Sequence, residues 1–453
     1  MSMRIPNIIF SLNEKIQGRS TLEYFEHLKK TQWYSGKELK ELQFEKLKAL
    51  LIYAHKNTEY YRETFDRVNF SPYAMNSFED FQKVPILTKE DIRNRLDKFI
   101  CKVEKRKLTR SVTSSSTGQP LIFYISSTRK SCDIACHLRL RDWWDIHIGD
   151  REAVLFGSGI YNAAQTGIKK IRDLLLNTHM LPIFRHFDSK AMREYIAFLR
   201  KYRPKHIFSY AHGIYMLAKY AKEQKLQLND IGTKVIFVTA EVLHDFQRAL
   251  IEEVFDCPVA NEYGCKDGGF IAGECPNKSM HITADVIYLE CIKNNRQVSP
   301  GEAGEAISTH LDSYGMPFIR YKSNDEVILA DQKICGCGRQ FPAIKKVIGR
   351  DTDYIITPKG DFLHAQALIF IFRELDSVNY FKIVQTGKDE LVIYIVKNEK
   401  YNSGTEDFLK KKIGEVINEP VKIIFNYINN EEVPDKNKHR FVESKILKDY
   451  LTR

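Results

Sequence analysis

The sequence predicts an α/β protein, with a large N-terminal domain of mixed or parallel sheets and helices followed by a small C-terminal α+β domain. Two patterns carry this expectation. Between residues 150 and 265, β-rich runs at 153–156, 206–209 and 234–238 alternate with helical segments at 191–202 and 246–255. Such alternation suits a substantially parallel sheet joined by crossover helices. Beyond Gly349 the order becomes helix, strand, strand, helix, strand, the pattern of a small α+β unit. A length of 453 residues leaves room for roughly two to four domains.

Residues 1–90 read as a mainly helical leader. Over 36–54, Leu39, Leu42, Leu47, Leu50, Leu51 and Ala54 recur at helical spacing with charges between them. Thr88 and Asp91 have the spacing of a capping box, with aspartate in place of glutamate, and so predict a helix start. In the C-terminal part, a helix is expected at 365–375 and strands at 378–385 and 390–397, turned by Thr386, Gly387, Lys388 and Asp389. Phe408, Leu409, Ile413, Val416 and Ile417 line one face of a helix at 406–417, and a last strand follows at 421–427. These patterns divide the chain into 1–348 and a mobile 349–453. No repeat, low-complexity tract or long linker interrupts it, so a short hinge and interdomain motion are expected.

Composition narrows the function classes. No apolar run approaches the ~18 residues of a membrane span, and Ile8, Ile9 and Phe10 alone make no secretory apolar region, so a cytoplasmic protein without a transmembrane segment is expected. Nine cysteines, scattered apart from Cys335 and Cys337, argue against a disulfide framework. A formal charge of +11 suits anionic partners in general. Acidic residues interleave with the basic ones, and no clustered basic face with stacking aromatics marks a nucleic-acid partner.

Two clusters carry chemistry. Thr113, Ser114, Ser115, Ser116 and Thr117 precede Gly118 directly after a basic stretch, and hydroxyls with exposed backbone N–H groups suit phosphate oxygens. The segment lacks Walker spacing, so a polar linker remains an alternative. Cys275 and His281, with five residues between them, and Cys335-Gly336-Cys337 downstream supply three thiols and an imidazole, the ligand set of a closed structural zinc site. The alternative is unpaired thiols beside a surface histidine.

Residues 113–120 resemble the Thr-Ser-Gly-Ser/Thr-Thr-Gly-x-Pro phosphate loop of adenylate-forming enzymes. Further segments resemble the same family in the same order. Ala240-Glu241 is similar to its adenine-binding strip, and Glu262-Tyr263-Gly264-Cys265-Lys266-Asp267 to its Tyr-Gly-x-x-Glu motif, with Asp267 at the acidic, magnesium-holding position. The run from Arg320 through Tyr321 and Asn324 to Asp325 resembles the Arg-Tyr-x-x-Gly-Asp element, which would set Asp325 on the ribose hydroxyls. Gly349-Arg350-Asp351-Thr352-Asp353 resembles the Gly-Arg-x-x-Asp hinge, with Arg350 on ribose or phosphate. Lys438 resembles the lysine that enters the site when the small domain closes. The chain is thus similar to phenylacetate-CoA ligases, and the Cys-His-Cys-x-Cys arrangement resembles relatives associated with capsular polysaccharide genes.

What the resemblance implies is ATP- and magnesium-dependent adenylation of a small carboxylic acid, with Lys438, Arg350 and Asp267 as catalytic residues. Acyl transfer, by default to coenzyme A, would follow. Transfer to a sugar or other amine in surface polysaccharide biosynthesis, and a silent zinc-stabilised scaffold, are the alternatives. A homodimer would suit the family. Ser115 and Asn324 replace glycines, Asp267 is a methylene shorter than the usual glutamate, and Thr352 stands where many relatives have an acid. The stretch from Ser209 to Tyr215 is a candidate acyl-pocket lining.

Overall fold

The computed structural model describes residues 5–103, 108–113, 121–156, 167–181, 189–331, 334–349, 354–373, 375, 377–429, 432, 441–447 and 450.

The leader is helical: α1 (Ile5–Ile16), α2 (Thr21–Thr31), α3 (Gly36–Asn57), α4 (Glu59–Arg67), α5 (Phe78–Phe81) and α6 (Lys89–Phe99). Ser35 and Glu38 form a reciprocal capping box at the start of α3, whose Leu39, Leu47, Leu50, Leu51 and Ala54 are buried. The Thr88–Asp91 box also forms, the Thr88 N–H donating to Asp91 Oδ2 (3.0 Å) and the Asp91 N–H to Thr88 Oγ1 (3.2 Å). An aspartate closes this box as a glutamate would, and each such cap contributes about 1 kcal/mol. The leader is fastened by an aromatic core containing Tyr61, Phe65, Phe81, Phe99, Phe123 and Phe318. The Tyr61 hydroxyl in it is satisfied, because it donates to the Pro317 carbonyl (2.9 Å) and accepts from the Ile319 N–H (3.2 Å).

A hairpin of β1 (Thr109–Val112) and β2 (Ile122–Ile125) leads into α7 (Ser127–Trp143). Then β3 (Glu152–Leu155), α8 (Gly167–Leu175), β4 (Thr178–Leu181), α9 (Ser189–Tyr202), β5 (His206–Tyr210), α10 (Ala211–Glu223), β6 (Val235–Thr239), α11 (Asp245–Phe255) and β7 (Val259–Cys265) alternate as expected. Strands β4, β3, β5, β6 and β7 pair in parallel in that order. The first four residues of β6, Val-Ile-Phe-Val, are all buried, the continuous apolar run of a strand covered on both faces. From β8 (Gly269–Glu274) the sheet turns antiparallel through β9 (Met280–Ile282), β14 (Ala343–Gly349), β13 (Tyr321–Leu329), β12 (Ala303–His310), β10 (Ile287–Lys293) and β11 (Arg296–Gln297), making twelve strands.

The C-terminal part holds a hairpin, β15 (Tyr354–Ile356) with β16 (Phe362–His364), then α12 (Ala365–Arg373), β17 (Val378–Gly387), β18 (Glu390–Lys397), α13 (Ser403–Ile417), β19 (Lys422–Tyr427) and β20 (Val442–Ser444). A four-stranded sheet of order β19-β18-β17-β20 packs with both helices around one core. Helix α13 starts three residues before the sequence expectation because the Asn402 side chain caps Thr405 N–H. Periodicity finds the buried face but not a polar first turn. This part rests on the ends of the large sheet: the Tyr354 hydroxyl donates to the Val242 carbonyl (2.9 Å) and Lys219 pairs with Asp361. Among the described residues no helix is long and apolar enough to cross a membrane.

Candidate functional site

The carboxyl ends of parallel strands are where open α/β sheets leave a crevice, since the crossovers there diverge. At this edge β6 runs out into Ala240, which adopts a left-handed φ of 67°, and Glu241. The Glu241 carboxylate accepts the His212 N–H (2.7 Å) in the first turn of α10, where the helix end favours an anion. The ends of β5 and β6 are thereby locked together. The Ser209–Tyr215 stretch meets this edge at Tyr210, while Ser209, Ala211, Ile214 and Tyr215 are buried.

Strand β7 carries the next group, and strand alternation sorts it. Glu262 turns to α7 and meets His137 Nδ1 (3.1 Å) and Arg141 Nη1 (3.3 Å), buried against that helix rather than in the crevice. Burial opposes its charge, but these two partners hold its carboxyl below the usual range. Tyr263 points the other way, and its hydroxyl donates to Asp325 Oδ2 (3.4 Å). Gly264 cannot carry a side chain, because a Cβ would lie 2.5 Å from the Gly269 carbonyl oxygen. Asn324, beside Asp325, has a left-handed φ of 68°, a conformation asparagine enters more readily than most residues.

Asp267 sits in the β7–β8 turn and is buried. Its carboxylate accepts the Tyr321 hydroxyl and lies 3.9 Å from Lys89 Nζ. Burial works against the anion, yet Lys89 and Tyr321 outweigh it and keep the carboxyl below its ordinary value. The Asp267 backbone carbonyl accepts from the buried Arg129. Its neighbour Lys266 donates to the Val112 carbonyl (2.8 Å), tying this turn to the hairpin that carries the hydroxyl-rich loop. Thr113 closes the base of that loop: its N–H donates to the Leu121 carbonyl (3.0 Å) and its Oγ1 accepts the Leu121 N–H (2.9 Å). Thr113, Tyr263, Asp267 and Asp325 thus gather around β7 and β13. Ser114, Ser115, Ser116, Thr117, Gly118, Arg350, Thr352 and Lys438 lie outside the described residues.

A second cluster stands away from this crevice. Cys275 follows β8, and the six-residue strand from Gly269 to Glu274 separates it from the Asp267 turn by about 20 Å. Ligand atoms of Cys275, His281, Cys335 and Cys337 all lie within 4.8 Å of one another. Cys275 Sγ is 3.8 Å from Cys335 Sγ, and His281 Nε2 is 3.2 Å from Cys337 Sγ. Tetrahedral zinc with Zn–S bonds of ~2.3 Å spaces its sulfurs about 3.8 Å apart, so the donor set fits that ion. His281 Nδ1 faces the Phe341 carbonyl (3.4 Å), which leaves Nε2 for a metal.

Residues 355–445 match the family described as the CapK C-terminal domain. Protein CapK of Staphylococcus aureus is 27% identical over 448 residues, covering 97% of each chain. The phenylacetate-coenzyme A ligase of Aromatoleum evansii is 26% identical over 71% of this chain and 72% of its own. The chain is thus similar to CapK along nearly its whole length and to phenylacetate-CoA ligases over about 70% of it. Its fold is shared with 2-hydroxyisobutyryl-CoA ligase in complex with its acyl-AMP and CoA in the thioesterification state, at a TM-score of 0.64 and 19% identity over 93% of both chains.

Sequence reasoning missed Lys89 and Tyr321 as partners of Asp267. Lys89 reads as the first residue of a scaffold helix and Tyr321 as one letter of a motif, and nothing in their spacing announces that both reach one carboxylate. Arg320 shows a converse case. In this structure it is fixed in the core by Glu290 (3.0 Å to each carboxylate oxygen) and by the Gln82 and Val84 carbonyls.

Proposed function

We propose that this ligase activates a small carboxylic acid with ATP, the acid's oxygen attacking the α-phosphate to form an acyl-adenylate while pyrophosphate leaves. The gathering of Tyr263, Asp325, Asp267 and the base of the hydroxyl-rich loop at one sheet edge carries this reading. In it, Asp325 accepts the ribose hydroxyls, Tyr263 borders the adenine beside Ala240 and Glu241, and residues 113–118 receive the triphosphate. Magnesium suits Asp267, since that ion takes one or two carboxylates together with substrate phosphates and Asp267 is held in its anionic form. When bound, the ion neutralises phosphate charge. Lys438 and Arg350 complete the site from the C-terminal part, Lys438 stabilising charge that develops around the α-phosphate.

The acyl group then passes to an acceptor as AMP leaves. Coenzyme A is the default, its thiol losing a proton as the thioester forms. A sugar or other amine is the alternative acceptor. The reading places the enzyme in the cytoplasm, with zinc at the Cys275 cluster as a structural clamp. The test is pyrophosphate release from ATP and magnesium across aromatic, amino and short-chain acids, with and without coenzyme A. Release confined to one acid class is the expected result. Silence across the panel from folded, zinc-loaded protein would overturn the reading in favour of a scaffold.

A further inference from the structure

Among the described residues thirteen large apolar or aromatic side chains are exposed, and seven of them lie on just two helices. Ile5, Ile8, Leu12 and Ile16 are 69%, 47%, 57% and 73% exposed on α1. At 100° per residue they fall within about 80° of arc, so they form one stripe. Ile171, Leu174 and Leu175 on α8 are exposed likewise. The stripe is held outward: Pro6 fills the space where a Cβ of Gly149 would stand, and buried Glu14 accepts from Thr21 and from Arg19 Nη1 (3.3 Å). A soluble monomer scatters such residues; gathered into a band, they mark a surface that something apolar covers.

What borders the band identifies the occupant. Gly149, against Pro6, and Asn177, just after α8, both line an open cleft of about 560 Å³ shared with Arg151, Arg203 and Lys205. Lys15, Lys170, Arg151 and Arg203 are exposed. Among the described residues the neighbouring acids are already engaged: Asp150 with Lys205 (2.7 Å), Asp173 with Arg172 (2.9 Å) and Asp145 with Lys234 (2.5 Å). An apolar stripe rimmed by uncompensated cations is the pattern of a surface that seats in the headgroup layer of an anionic bilayer. A two-fold pairing of copies through the same face would set those cations near their own counterparts, which disfavours a second copy. The cleft opens at the amino ends of β3 to β6, the sheet edge opposite the proposed site, so docking leaves that site facing away from the lipid.

We infer that the α1–α8 face is a peripheral docking surface for an anionic phospholipid bilayer. The inference stands independently of the proposed reaction. Flotation of the full chain with phosphatidylcholine vesicles, with and without phosphatidylglycerol, tests it. Binding to the anionic vesicles that weakens with salt is expected. The Ile8→Asp/Leu12→Asp pair, at exposed positions, should lose it by roughly tenfold or more while keeping the wild-type circular dichroism and vesicle-free rate. Failure of the folded wild type to float, or undiminished flotation of the pair, overturns the inference. A concentration-dependent dimer that the pair abolishes, without vesicle binding, would instead assign the stripe to self-association.

Discussion

His212 shows what a single buried side chain contributes at this sheet edge. Its N–H anchors Glu241, and burial pushes its imidazole down to about 4, with Asp361 pulling weakly the other way. The unfolded chain takes up a proton as pH falls through 6.5, whereas the folded chain does so only near 4. Stability from this group is therefore full above pH 6.5 and is lost on acidification towards 4, by on the order of 3 kcal/mol at most. Denaturation midpoints at pH 7 and pH 5 should differ in the wild type and differ less in His212→Asn. Equal pH sensitivity of the two proteins would contradict the assignment. Asp267 has the opposite character: Lys89 and Tyr321 keep it charged, so it is ready for a cation at neutral pH.

At the scale of elements, the Cys275 cluster joins the β8–β9 turn to the loop before β14. Only residues Ala343 and Ile344 of β14 pair with β9, so this part of the sheet has a short ladder to rely on. A metal bound only in the folded state adds its binding energy to folding. Protein purified without chelator should hold about one equivalent of zinc. Cys335→Ser should hold less and unfold at an apparent Tm lower by about 5 °C or more. Metal analysis and calorimetry decide this together; unchanged stability after complete zinc removal would leave the cluster as ordinary thiols. Twenty ångströms of strand, roughly, keep such a clamp out of the chemistry.

For the whole molecule, the site as proposed is incomplete without the C-terminal part, because Lys438 and Arg350 belong to it. Lys438→Ala should lower the rate of acid-dependent pyrophosphate release by about 10² to 10³, the usual cost of removing one preorganised electrostatic contact. Melting temperature should not move. Adenylation at the wild-type rate would remove Lys438 from the mechanism. Contacts of Tyr354 with Val242 and of Lys219 with Asp361 show where the two parts meet, beside the ends of β5 and β6. A swing of the C-terminal part between half-reactions would have to exchange these contacts for others.

Local features were legible in the amino-acid order because local geometry produces them. The alternation that makes β3 to β7 parallel, the Thr88–Asp91 box, the turn at 386–389 and the Cys-x-Cys spacing each depend on residues a few positions apart. Placement across distant segments was not legible. Glu262 and Tyr263 are consecutive, and only the packing of α7 against β7 decides that one joins the scaffold and the other the crevice. Lys89 and Tyr321 meet at Asp267 because three remote segments fold onto one point. Periodicity likewise shows that α1 has an apolar stripe but not whether anything covers it. The sequence determined the elements and the chemical groups available; the tertiary structure decided which groups share a site and which apolar face stays open, because burial depends on neighbours brought from elsewhere in the chain.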